Sequence, residues 1–206
     1  MSDARLWLAG LVALPALVIG ASTLRLDVAQ LRRIATAAAL AMLLVALGIA
    51  VSPSLHNFSI RTSALSAVPG GEAIIRIDTL SAALLPFAAG LWLLTVAVTP
   101  RAALDRRGLR RTALATLITL VSFLTESAIV LLLLSMASVW VFLFALADPA
   151  HRYQRRVVGA YLGFSTLLFA VGVALLVSPG AQNTTMERAG MWLIVIAALV
   201  RKGIVP

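Results

Sequence analysis

Two adjacent cations, Arg201 and Lys202, lie in a hydrophobic run near the carboxyl end, thirteen and fourteen residues after Arg188. At 1.5 Å per helical residue this is roughly 20 Å into an apolar layer of about 30 Å. Charge at that depth is costly; it is either functional or curls back to the interface as a snorkelling side chain. Arginine stays protonated, whereas lysine can release its proton when burial lowers its pKa. The chemistry available to this pair is therefore proton movement, with Lys202 as the titrating member and Arg201 as a fixed charge. Gly203 and Pro206 follow, and such residues free backbone carbonyls in the broken helices of transporters. A third ionisable group, Glu126, falls between two apolar runs near the outer surface. A solvated loop acid and a proton-path residue fit it equally.

Other chemistry is poorly supplied. The two histidines, His56 and His151, fall in loops on opposite sides of the expected membrane, so they cannot share a metal. No carboxylates are spaced as a helical metal pair, and no glycine-rich phosphate loop follows a strand. The absence of cysteine rules out a thiolate zinc site, an iron–sulfur cluster or a disulfide framework within this chain. No serine nucleophile has a buried histidine beside it. The sequence thus offers no catalytic site of its own and no cofactor or metal site. A lipid-handling enzyme would need acids or histidines clustered near one interface, and there are none.

Positioning these cations falls to apolar helices. The chain has 206 residues, 61% of them hydrophobic and 12% charged, with a mean hydropathy of +1.02. A soluble domain is nearer half apolar and a quarter charged, so lipid must cover much of this surface. Seven spans are expected, at 5–23, 33–51, 79–98, 111–125, 127–147, 157–177 and 188–205. The fourth is the shortest and carries Thr112, Thr116, Thr119, Ser122 and Thr125. Its hydroxyls suit burial among helices, either in interhelical hydrogen bonds or along a file of water. The first run is longer than a usual signal-peptide core and contains Pro15, which favours a retained helix. The 52–78 segment is the long loop, and its alternating stretch at 72–78 suits a small hairpin. No internal repeat is visible, and residues 1–206 read as one transmembrane domain.

Seventeen basic against eight acidic residues leave a net charge of +9. In a soluble protein this would raise nucleic acid as a partner. Here the basic residues flank apolar runs. Eleven fall on one side: Arg25, Arg32 and Arg33; Arg101, Arg106, Arg107, Arg110 and Arg111; Arg152, Arg155 and Arg156. Four fall on the other: Arg5, Arg61, Arg76 and Arg188. The positive-inside rule then places the N-terminus outside and the end of the seventh span toward the cytoplasm. The partner this implies is the lipid bilayer, not nucleic acid.

The segment Arg76-Ile77-Asp78-Thr79-Leu80-Ser81, leading into the third span, resembles the R-[IV]-D-x-L-S approach of the antiporter-like membrane subunits. These are the proton-translocating subunits of respiratory complex I (NADH-quinone oxidoreductase), the Mrp antiporters, membrane hydrogenases and related carbon-uptake complexes. The ending Arg201-Lys202-Gly203-Ile204-Val205-Pro206 resembles the family's seventh-helix segment, where a lysine precedes a proline by five. The resemblance implies an all-α bundle forming the first part of an inverted-repeat fold. Arg76, Asp78, Ser81 and Pro206 would be structural members of its motifs. Since the chain stops at Pro206 within such a motif, the resemblance implies the N-terminal part of a longer fold.

By the same resemblance, the chain would be a multi-pass subunit of a bacterial inner-membrane complex. It would conduct H⁺, or Na⁺, beside other membrane subunits. Lys202, Arg201 and Glu126 are the proton-path candidates. The sequence departs from the family twice. Arginine, Arg201, stands five before the proline with Lys202 next to it. Leu132 stands where the family places a glutamate in the fifth helix, and Glu126 lies six residues earlier. A subunit that keeps the fold without conducting, or the membrane partner of an inorganic-carbon uptake complex, are the alternatives.

Overall fold

The computed structural model describes residues 2–24, 26–56, 58–61, 73–100, 105–145, 152–177 and 184–201. Its elements are α1 (Ser2–Ala21), α2 (Val28–Val51), a 3-10 turn (Pro53–Leu55), β1 (Phe58–Arg61), β2 (Ala73–Ile77), α3 (Thr79–Val98), α4 (Arg106–Leu124), α5 (Ala128–Ala145), α6 (Arg152–Val177) and α7 (Thr184–Arg201). The strands β1 and β2 pair as a two-stranded sheet. Strand β2 carries most of the alternating stretch from which a hairpin is expected.

Three of the helices, α2, α3 and α6, are long and apolar enough to cross a membrane. Two shorter apolar segments, Arg5–Ala21 and Ala128–Phe144, lie in α1 and α5. The remaining two carry more charge. Helix α4 opens on Arg106, Arg107, Arg110 and Arg111, and α7 holds Glu187, Arg188 and Arg201. Large apolar side chains such as Leu44, Phe87, Trp140, Phe144, Phe164, Leu167 and Trp192 are exposed. So much exposed apolar surface is stable against lipid and not against water.

Several helices begin earlier than hydropathy alone places them. Helix α2 starts at Val28 because Asp27 builds a capping box: its carboxylate accepts from the helix's first backbone N–H groups, and Gln30 closes back onto the Asp27 N–H. Arg32 and Arg33 consequently sit inside the helix, not in the preceding loop. Helices α4 and α6 likewise take up Arg106 to Arg111 and Arg152 to Arg156. A polar helical turn can continue beyond the hydrocarbon, so a charged flank marks the membrane boundary and not the helix boundary.

The chain forms two compact units. One comprises residues 1–60 and 75–124. In it α1 packs on α2 and α4, and α3 packs on α2 and α4. Its core is Leu11, Val18, Leu31, Met42, Ile49, Leu85, Trp92, Val96, Leu120 and Leu124. Small residues let the helices approach closely. The six-membered ring of Trp7 covers Gly48, where a Cβ would lie 2.7 Å from it. Pro15 is buried within α1, and Pro86 lies within α3.

The other unit comprises residues 61–74 and 125–206, with α6 packed on both α5 and α7. The α6–α7 pair is antiparallel and close. A Cβ at Gly172 would meet Ile194 Cγ1 at 2.8 Å and the Gly190 carbonyl oxygen at 2.9 Å. The Ser165 hydroxyl donates to the Ala197 carbonyl at 2.9 Å. Small residues and interhelical hydroxyl bonds are the usual means of holding helices together in lipid, where apolar burial provides no drive.

Candidate functional site

The motif leading into α3 is built for positioning. Asp78 precedes the helix with extended backbone, and its carboxylate accepts the Ser81 N–H at 2.6 Å. This satisfies one of the helix's orphan donors. The bonds from Ser81, helped by the positive charge of Arg76, hold the Asp78 carboxyl below its ordinary pKa. Ile77 beside it is fully buried, and the Ser81 hydroxyl donates to the Phe123 carbonyl at 2.7 Å, tying the start of α3 to the end of α4. Arg76 is exposed. In this structure Asp78 and Ser81 are a helix cap and an interhelical tie.

At the opposite end of α3 a guanidinium takes the matching place. Arg32 donates to the Ala97 carbonyl at 3.0 Å and to the Val96 carbonyl at 3.4 Å. It thereby satisfies orphan carbonyls and complements the negative end of the helix dipole. Arg106 donates to the Leu26 carbonyl at 2.5 Å. Two of the arginines that set the charge asymmetry are thus also caps and clasps.

The hydroxyls of α4 donate their protons within their own helix. Thr112, Thr116, Thr119 and Ser122 donate to carbonyls three or four residues back in their own helix, at 2.8–3.0 Å. Such back-bonding is the nearest solution for a hydroxyl in an apolar helix. The threonines line a shallow groove with Ala88, Trp92 and Thr95 of α3.

Arg201 is the charge in an unusual place. It ends the described part of α7 and is half-buried. It donates from Nη1 to Ser135 Oγ at 2.5 Å and from Nη2 to Ser138 Oγ. Both serines belong to α5 and straddle its midpoint. The antiparallel register explains the geometry. With Ser165 opposite Ala197, four residues along each helix bring Arg201 opposite Tyr161. The close approach of Gly172 to Gly190 holds the same register seven residues the other way. On the other flank of α6, a Cβ at Gly159 would meet Leu143 Cδ2 at 3.3 Å. Carried down the antiparallel pair, this contact puts Ser138 level with Phe164. A helical side chain leans toward its own N-terminus, so the guanidinium of Arg201 turns back along α7 into the bundle and away from the near interface. It lies about 18 Å along the axis from the start of α6. The snorkelling alternative for Arg201 is therefore not the one adopted.

Around it is a cavity of about 420 Å³, lined by Ser138 and Phe142 of α5, Val157, Val158, Tyr161 and Leu162 of α6, and Arg201. Among the described residues no carboxylate pairs with Arg201. Glu126 is exposed just before α5, about two helical turns from Ser135. Leu132, at the position where a glutamate is expected from the resemblance, is half-buried. Lys202 and Pro206 lie outside the described residues, as does the expected break in the seventh helix. The described residues hold no group of three or more histidines or acids able to bind a metal.

The two serines were the site residues sequence reasoning missed. A signal existed: Ser135 and Ser138 are three apart and so share a face of α5, and they are the only hydroxyl residues of that helix. What could not be read was which helix would offer them a donor. Compared with known proteins, the chain matches no family model, no curated protein and no solved structure.

Proposed function

We propose that the chain is a membrane subunit of a bacterial inner-membrane, proton-translocating complex of the antiporter-like kind, crossing the bilayer seven times with its N-terminus outside. The observation that carries this reading is the guanidinium of Arg201 held at the middle of α5 beside a cavity. A cation at that depth is retained where ions or protons move. The seven helices and the eleven-to-four asymmetry of flanking arginines support the topology. Arg201 holds a fixed positive charge. Lys202, next in the chain, is the member able to take and release a proton. A partner module that moves a counter-charge near the pair would shift that pKa. Each unit is worth about 1.4 kcal/mol.

The test is Lys202→Ala and Lys202→Arg in the intact complex, assayed for proton uptake in inverted vesicles. Both variants lose uptake while assembly persists, because arginine keeps the charge but does not exchange the proton. Uptake unchanged in Lys202→Ala would remove Lys202 from the path.

A second reading, a non-conducting structural subunit, has its own support. Arg201 is held by two neutral hydroxyls and no carboxylate among the described residues, and Leu132 stands at the expected glutamate position. On that reading Arg201→Met lowers assembly but leaves uptake per assembled complex intact. Leu132→Glu then adds no conduction.

A further inference from the structure

We infer that the cavity between α5, α6 and α7 is a binding site for a small planar oxyanion of the carboxylate or nitrate type, seated on Arg201. This does not depend on proton conduction. It rests on the geometry of three helices within one compact unit.

The first support is unused hydrogen-bonding capacity. A guanidinium has five N–H donors in a planar fork. The described residues use two of them, one each on Nη1 and Nη2, for Ser135 and Ser138. Three remain, and the fork geometry matches two oxygens of one planar anion. The serines accept from Arg201 and so fix the plane of the fork before any ligand arrives, which is the preorganisation a small ligand needs.

The second support is charge. Arg201 is half-buried without a carboxylate among the described residues, which compensate its charge with hydroxyl dipoles. Such a charge inside lipid is costly, and an anion would relieve that cost directly. The unit is also polarised along its axis. Its described acids, Glu126 and Glu187, lie with Arg188 at the starts of α5 and α7, which share one end of the antiparallel bundle. The other end carries the exposed Arg152, Arg155 and Arg156 on the first turns of α6. Val157 and Val158, which line the cavity, follow directly on those turns. An anion entering there meets three arginines and then a fourth. A cation meets a rising barrier, the arrangement that selects for anions in pores.

The third support is size. A volume of about 420 Å³ holds a three- or four-atom anion with several waters, at about 30 Å³ per water. The walls of Phe142, Val157, Val158 and Leu162 are apolar, with Phe142 and Val157 half exposed, and lower the local dielectric on the side of the bundle. The guanidinium lies about 12 Å along α6 beyond Arg156, the last arginine of its charged flank. A free anion or a partner's carboxylate side chain can reach it, and the exposed arginines on the neighbouring turns of α6 favour the free anion.

The experiment uses the full chain purified in detergent, with ¹³C-formate and nitrate as probes and chloride as the spherical control. Formate binding is followed by ¹³C line broadening, and nitrate is read by its displacement of formate. The expected result is one saturable site that prefers formate and nitrate to chloride by about tenfold. Arg201→Met weakens formate at least tenfold. Arg201→Lys, which keeps charge without the fork, erases the preference over chloride. Arg155→Gln weakens all three anions alike by two- to threefold, because it contributes to the approach and not to the seat. The wild-type preference and its loss in Arg201→Lys are read as ratios, so they hold even if Arg201→Met does not fold. Equal binding of all three anions, or equal losses in Arg155→Gln and Arg201→Met, would overturn the site in favour of a diffuse surface atmosphere. No binding by the chain alone, with a partner carboxylate crosslinking to a reactive group at position 161 in the intact complex, would also overturn it and assign the seat to that partner. Loss of anion binding with proton uptake intact, or the reverse in Lys202→Ala, separates this site from the proposed proton path.

Discussion

If Arg201 reaches inward, its two serines must be energetically coupled to it, and a double-mutant cycle measures that coupling directly. The perturbations are Ser135→Ala, Ser138→Ala and both together, each in the wild-type and Arg201→Met backgrounds. A hydrogen bond to a charged group contributes about 1.5–3 kcal/mol net in soluble proteins. Bilayer cycles give less, about 0.6 kcal/mol on average and about 1.7 at most, because the unfolded helices also find partners. Arg201 is half-buried, and each serine takes one N–H. Coupling of about 1 kcal/mol per serine is therefore expected. The pair together should exceed the sum, since removing both leaves the guanidinium without a partner at the middle of α5. The assay is reversible unfolding in mixed micelles, with purified protein and α-helical signal as the readout. In the Arg201→Met background both serine replacements should fall to a few tenths of a kcal/mol. If the serine variants cost the same with and without Arg201, the guanidinium is not on α5, and the anion seat derived from it falls too.

Three further outcomes follow from the packing and caps. Gly172→Ala forces a Cβ against Ile194 and the Gly190 backbone and should destabilise by about 1–3 kcal/mol. Gly163→Ala in the same helix meets nothing within 4 Å, so unfolding in the same micelles should find it neutral, or more stable by up to about 1 kcal/mol. Asp78 has a depressed carboxyl pKa, so its stabilising effect is complete above the ordinary carboxylate range near pH 4 and is lost as the pH falls through the lower folded value. Asp78→Ala should cost about 1 kcal/mol at pH 7 and flatten that acid limb, while Asp78→Asn keeps most of the cap; unfolding titrations between pH 7 and 2 decide it. The chain has no cysteine, so single replacements report topology cleanly. Gln154→Cys should react with an impermeant maleimide only from the cytoplasmic face and Thr185→Cys only from outside, whereas labelling of both from one side would break the expected alternation.

The number and order of the apolar segments were legible in the sequence because they depend on additive local quantities. A run of about 20 apolar residues forms a helix wherever lipid is the solvent, and among the described residues a helix covers most of each of the seven expected segments. The extended approach and cap before α3 were likewise readable, since Asp78 and Ser81 act within three residues of each other. Helix starts were less legible. Capping by Asp27 and the continuation of polar turns beyond the hydrocarbon do not register as hydropathy.

The destination of each polar side chain was decided by tertiary structure. The threonines of α4 suit either interhelical bonds or a file of water, and each donates its hydroxyl proton to a carbonyl one turn back in its own helix. Arg201 looked free either to snorkel or to enter a proton path. Which way its guanidinium turned depended on the register of two helix pairs, set by the close approach of Gly172 to Gly190 and the bond from Ser165 to Ala197. Register is a property of facing surfaces many residues apart in the chain. Sequence alone placed a cation within an apolar run and left its direction open; only the packing of α5, α6 and α7 determined that two serine hydroxyls would hold it and leave a cavity beside it.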